Sequence, residues 1–305
     1  MEKKKKGLLD QLKSSRVLNV MFARKIIVIC ALIIVAMVLM SIFAPFVCKY
    51  DPNKDELYNV LQGSSAEHWL GTDANGRDVL TRIIYGGRIS FTVGLVAVFL
   101  SSVMGMALGL ISGVVGGVVD TFIMRVMDAM MAVPMLILAL FLGAILGNGL
   151  FNICLALGIS MVPGYARITR GQVLTVRNAD YVTAGTLSGA SRIRNTLVHV
   201  FPNCISANIV TMTASLGGAI LAEANLSFLG MGINPPTASW GAMVSAGYKC
   251  LSRQPIVAIA PGIAIILVVL CFNMLGDALR DALDPKLRGT LGKSKKAKKA
   301  GKKVG

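Results

Sequence analysis

Long apolar runs alternate with shorter polar stretches along the chain. A bilayer core of about 30 Å is crossed by roughly 20 apolar residues in a helix. On that measure the runs at residues 26–47, 91–115, 122–146, 150–165, 205–229 and 256–275 predict six membrane-spanning helices. The third is the least regular, because Arg125 and Asp128 fall in its first turns. A charge at mid-bilayer costs roughly 2.5 to 3.5 kcal/mol on insertion scales, so both are expected at a membrane surface or against protein. The first run begins only at Ile26, is too long for a signal-peptide core and lacks a small-x-small cleavage site. It is expected to be a retained span.

Composition sharpens this picture. Of 305 residues, 54% are hydrophobic and 15% charged, against about 25% charged in ordinary soluble domains, which argues against a water-soluble enzyme. The net charge of +16 would suit nucleic acid, but aromatics are only 6% and the basic residues gather at the two ends and in one central segment. That distribution belongs to a membrane protein and implies no nucleic-acid partner. Residues 1–25 hold eight Lys and Arg, residues 167–194 hold five, and the chain from Arg280 onward holds ten. The segment 48–90 holds five basic and six acidic residues, and 231–255 holds only Lys249 and Arg253. Basic residues are retained in the cytoplasm, so the first three segments, with both termini, are expected there and the other two outside. The lysine-rich run 293–303 is low-complexity and is expected to be a solvated tail touching anionic lipid. Six scattered cysteines, without CxxC or tight spacing, indicate neither a disulfide framework nor a zinc site and read as small apolar fillers.

Gly105, Gly109, Gly113 and Gly117 recur every four residues in the second run, laying bare backbone along one helical stripe. Such stripes let helices approach closely in lipid, for static packing or for a crossing that slides. The segment Gly71–Asp78 has the two glycines of a phosphate loop, but Arg77 and Asp78 stand where Lys and Ser/Thr are needed, and Leu287 replaces the first glycine of a second candidate ending at Ser294. No ATP site is therefore expected in this chain. Asp73, Asn75 and Asp78 fail as a calcium loop, because Gly76 comes early and Ile84 stands where the bidentate Glu belongs. With His68 and His199 the only histidines, no HExxH and no Ser-His-Asp set on one membrane face is available.

Residues 166–203 are too polar to span and too patterned for a random linker. A helical stretch leads into small residues at Ala184, Gly185, Ser188, Gly189, Ala190 and Ser191, flanked by Arg192 and Arg194. Glycine in a helix costs up to about 1 kcal/mol relative to Ala, so a thin face that enters a groove on a partner is the functional reading, with the arginines meeting carboxylates at its rim. Tyr181–Asn203 resembles the EAA loop of binding-protein-dependent ABC importer permeases: Ala184, Gly189 and Pro202 match, while Thr183 stands where the pattern has Glu, Gly185 where it has Ala, His199 where it has Ile and Phe201 where it has Leu. Three longer segments, HWLGTDANGRDVLTRIIYGGRIS, ILAEANLSFLGMGINPPTASWGAM and LGDALRDALDPKLRG, resemble the C-type subunit of dipeptide, oligopeptide and nickel permeases. Gly116, Gly117, Asp120, Met124, Arg125, Asp128 and Pro134 extend the likeness, which covers about residues 20–289.

The resemblance implies an all-α integral membrane protein with the six-helix type I ABC importer permease fold. It divides the chain into a basic cytoplasmic N-terminus (1–25), a first transmembrane helix (26–47), an extracytoplasmic segment (48–87), a permease core (88–280) with a cytoplasmic coupling loop (166–203), and a basic tail (281–305). It implies a multi-pass protein of a bacterial or archaeal cell membrane that pairs with a second, non-identical permease, two ABC ATPase subunits and an extracytoplasmic solute-binding protein. ATP and magnesium would be bound by the ATPases, leaving this chain no cofactor and no catalysis of its own. Thr183, Ala184, Gly185, Gly189, Ala190, Ser191, Arg192, Arg194 and Pro202 are the coupling residues it implies.

Glu223 is the one carboxylate well inside the fifth run, near its outer end. It is either part of the translocation pathway, facing a peptide amino terminus or a cation, or satisfies backbone donors in a broken segment near Asn225. Asn234–Thr237 with Trp240 reads as a rigid outer turn, with Pro235 restricting helix and Trp240 at the membrane interface, serving as a gate or as a simple re-entrant turn. Asp277 with Arg280, Arg280 with Asp284, and Arg125 with Asp128 have the spacing of solubilising helical pairs. Short peptides are the expected cargo. Nickel or another small cargo, an intramembrane enzyme, and a channel without ATPases are the alternatives; co-purification of ATPases separates an importer from the last two, and cargo binding by the partner protein separates peptide from nickel.

Overall fold

The computed structural model describes residues 24–283. The N-terminal lysines, Asp284 and the lysine-rich tail lie outside the described residues. Helices run at Lys25–Ile42 (α1), Ala44–Val47 (α2), Val79–Val115 (α3), Gly117–Ala132 (α4), Met135–Leu146 (α5), Leu150–Val176 (α6), Asp180–Leu187 (α7), Arg192–Asn195 (α8), Phe201–Phe228 (α9), Trp240–Tyr248 (α10) and Ile256–Leu283 (α11). The stretches containing α1, α3, α6, α9 and α11 are each long and apolar enough to cross a membrane, and α4 and α5, taken together as one bent segment, bring the number to six. Arg24 pairs with Asp281 at 3.4 Å, so the chain enters α1 and leaves α11 at the same end of the bundle. The 177–200 segment shares that end, termed here the loop end; the other is the knot end.

Several boundaries differ from the sequence expectation. The third span is two helices meeting at 94°, because Pro134 follows an extended Val133 and has no N–H to continue α4. The second span starts twelve residues early, at Val79, where Asp78 caps α3 by accepting from the Thr81 N–H at 2.7 Å. The resulting 37 residues extend about 55 Å at 1.5 Å each, well past the hydrocarbon. The fourth span runs on to Val176, so residues 166–176 are helix and not loop. Their polar side chains are tolerated because the face carrying Thr169 and Val173 is buried. The 231–255 segment contains α10, begun by Ser239 accepting from the Ala242 N–H at 3.3 Å.

The α3–α6 crossing is the closest packing in the bundle. A Cβ on Gly105 would stand 2.8 Å from the Val162 carbonyl oxygen, one on Gly109 2.8 Å from Thr169 Cβ, and one on Gly113 2.7 Å from Val173 Cβ. Gly117 leaves the stripe: it lies beyond α3, at φ +57° with open space around it. Asp120 on α4 accepts a bidentate pair from Arg170 on α6 at 2.6 and 2.7 Å, and a hydrogen bond from Ser112 on α3. Asp128 pairs with Arg167 on α6 at 2.7 Å rather than with Arg125. Within α11 no Asp277–Arg280 ion pair forms among the described residues, the expected Arg280–Asp284 pair lies outside them, and Asp281 pairs with Arg24.

Candidate functional site

At the loop end, Arg177 closes α6 and donates to the Gly113 carbonyl at 2.9 Å. Val182 anchors α7 by packing with Val173, Val200 and Cys204. Asn195, buried on α8, donates to Thr186 Oγ1 at 2.9 Å, and a Cβ on Gly185 would collide with its side chain, so Gly185 serves the close approach of α7 and α8. Gly189 ends α7 at φ +83°. Its N–H reaches the Thr186 carbonyl and that of Ala190 the Gly185 carbonyl, both at 3.0 Å, which is the Schellman closure. Ser191 caps α8 through the Arg194 N–H at 3.3 Å. Pro202 lies in the first turn of α9, directly after a single π turn at Thr196–Val200. The wider turn relieves the clash of the proline ring with the carbonyl four residues back.

The outward face of this ledge differs from its anchoring face. Leu187 is 85% and Ile193 73% exposed, with Leu197 and Val198 beside them more than half exposed. Thr183 and Ala184 are also exposed. The two arginines, both exposed, differ in partner: Arg194 makes no ion pair among the described residues, whereas Arg192 donates to the Val114 carbonyl at the end of α3. A cation there meets the negative end of the α3 dipole. Arg192 thus ties the ledge to the longest helix instead of standing at a rim.

At the knot end, the residues of the phosphate-loop look-alike form a turn and cap. Asp73 accepts from the N–H groups of Asn75 and Arg77 at 2.8 and 3.0 Å and pairs with Arg77 at 2.9 Å and Arg82 at 3.4 Å. Asp78 caps α3 and contacts His68 Nδ1 at 3.0 Å. Arg82 also donates to the carbonyls of Pro52 at 2.5 Å and Pro236 at 3.3 Å, joining the two segments of this end. Among the described residues no three His, Cys, Asp or Glu side chains converge on a common point.

Trp240 is not at an interface but 1% exposed, with Nε1 donating to the Ile83 carbonyl at 2.8 Å. Gly86 and Gly87 leave room for its ring, since a Cβ on either would stand 3.3 or 3.2 Å from it. Glu223 is fully buried and accepts from Ser90 Oγ at 3.0 Å and Ser227 Oγ at 2.7 Å. The Ser90 hydroxyl in turn faces the Trp240 N–H at 3.5 Å. No broken segment exists at Asn225, because α9 is continuous to Phe228. Serine hydroxyls, not backbone donors, hold the carboxylate. Asn225 and Pro235 are exposed, so the four candidate pathway residues divide into two buried in packing and two on the surface. Asn148, which the sequence did not single out, bonds Asn234 at 3.0 Å across the knot end. The Asp120–Arg170 clamp was equally unmarked, its partners lying 50 positions apart.

Comparison with known proteins identifies the family. Residues 105–289 match the family described as the binding-protein-dependent transport system inner membrane component, and residues 15–63 match the N-terminal TM domain of oligopeptide transport permease C. The di/tripeptide transport system permease protein DppC of Pseudomonas aeruginosa is 44% identical over 84% of this chain and 87% of its own length. The glutathione transport system permease protein GsiD of Escherichia coli is 39% identical over 85% of this chain and 86% of its own. The chain belongs to the binding-protein-dependent transport system inner membrane components, and it is a multi-pass membrane permease subunit.

Proposed function

We propose that this chain forms half of the membrane pathway of an ATP-driven importer for short peptides. In this reading a second, non-identical permease completes the pathway, an extracytoplasmic solute-binding protein delivers cargo to the knot end, and two ABC ATPases work at the loop end. The loop end is then cytoplasmic, in keeping with the basic residues of 167–194 and of both terminal segments. Peptide cargo is supported by the names of the relatives, a di/tripeptide and a glutathione permease. ATP and magnesium stay with the ATPases.

The observation that carries the reading is the ledge at 180–200, whose apolar side chains point away from the bundle while its other face is anchored to α3, α6 and α9. An ATPase cleft that receives Leu187 and Ile193, with a carboxylate for Arg194, would transmit closure of the ATPase pair directly to those helices. Thr183, Ala184 and Gly189 lie on or beside the inserting face; Gly185, Ala190, Ser191, Arg192 and Pro202 hold it in shape. Glu223 and Trp240 act as structural fasteners of the outer gate, leaving Asn225 and Pro235 as its exposed members. Co-purification tests this: the intact permease is expected to bring down both ATPases, and an Ile193→Asp variant, still inserted and paired with its partner permease, is expected to lose them. Retention of ATPases and of peptide uptake by that variant would overturn the docking role.

A further inference from the structure

Two of the six cysteines come together although the sequence holds them 241 positions apart. Cys30, in the second turn of α1, directs its Sγ to Met274 Sδ on α11 at 3.6 Å. Cys271, one turn before Met274, belongs to the same buried cluster as Cys30. Positions three apart on a helix share a face, so α11 presents a thiol and a thioether to the single thiol of α1. Ile34 is buried with the two cysteines, and Ile33, Val38 and Phe272 pack against the same cluster as Met274. The other cysteines, Cys48, Cys154, Cys204 and Cys250, lie on separate elements outside this cluster.

We infer that Cys30, Cys271 and Met274 form a binding site for a soft monovalent metal ion, with Cu(I) as the ion of matching chemistry. Soft thiolate and thioether donors suit Cu(I), zinc and iron–sulfur clusters, and three sulfurs including a neutral thioether fit Cu(I) rather than zinc, whose structural sites take four ligands. With metal–sulfur bonds of about 2.3 Å, a trigonal three-sulfur site has sulfur–sulfur edges of about 4 Å, close to the 3.6 Å separation already present. Thiol protons are displaced as the ion enters. A disulfide would engage only the thiols and give the thioether no role. The bound ion would staple α1 to α11, two helices that otherwise meet through apolar packing and the Arg24–Asp281 pair.

The test is a titration of the intact, reduced permease in detergent micelles with Cu(I) under anaerobic conditions, in competition with a chromophoric Cu(I) chelator. One equivalent is expected to bind, with a rise in melting temperature. Cys30→Ser or Cys271→Ser is expected to abolish that equivalent, and Met274→Leu, which preserves volume, to lower affinity about 10-fold. Cys154→Ser and Cys204→Ser are expected to change nothing. X-ray absorption on the loaded protein adds a readout independent of variant folding, with three sulfur neighbours expected. Equal binding by the wild type and the Cys30→Ser, Cys271→Ser double variant would overturn the site, as would a spectrum with nitrogen or oxygen neighbours only.

Discussion

At the knot end, Asp73, Asp78, Arg77, Arg82 and His68 are all buried and spend their charges and hydrogen bonds on one another and on nearby backbone. At the loop end, Leu187, Ile193, Leu197 and Val198 stand exposed, and only the inner face of the ledge is tied down. Both ends are rich in small and charged residues, yet one is closed on itself and the other is left unfinished. Satisfied polar groups in a low-dielectric setting make a rigid unit, whereas apolar side chains left in water gain from a partner that removes them from it. Charge and composition alone therefore do not tell which side chains of a segment are left for a partner; the direction in which the side chains are spent does.

Substitutions that break this contrast separate stability from coupling. The largest effect is expected at the closed end, where Trp240→Ala removes a buried ring seated on Gly86 and Gly87. A loss of about 3–5 kcal/mol should appear as a large drop in the melting temperature of the detergent-solubilised protein. Between the ends, Gly109→Val forces a branched side chain against Thr169 and the α6 backbone. At least about 1–3 kcal/mol should be lost, with α3–α6 cross-linking between engineered cysteines reporting the separation. At the ledge, Gly189→Ala places a Cβ on a residue at φ +83°, and a cost of about 1–2 kcal/mol should be seen by thermal melting while ATPase binding survives. The smallest change in stability, within about 0.5 kcal/mol, is expected for Leu187→Glu, since that side chain is 85% exposed. Uptake and ATPase association should nonetheless fall sharply in this variant. If Leu187→Glu transports normally, the distinction between the two ends carries no functional meaning.

The length of the apolar runs announced six crossings, because the bilayer fixes how many apolar residues a helix needs and the rule is local. The segment proposed to dock was legible for the same kind of reason: small residues and a helix-closing Gly189 sit together in sequence. The break at Pro134 left a signal that the apolar run concealed. The early start of α3 was masked by its polar first turns, although Asp78, followed three residues on by Thr81, is an ordinary cap. Ser239 before Trp240 is the corresponding sign for α10. Nothing local distinguished Arg192 from Arg194, since the first finds its partner 78 positions away, at Val114.

By itself, then, the sequence determined that the chain spans a membrane in six crossings and which stretch between them has the composition of a docking segment. Only the tertiary structure decided that Glu223 and Trp240 are buried and hydrogen-bonded within the bundle, that Asp128 answers Arg167 and that Arg192 reaches the end of α3. Hydropathy and capping act between neighbours in the chain. The partner of a buried charge or hydroxyl is chosen by whichever helix packing brings within hydrogen-bond reach, and that choice exists only once the helices have met.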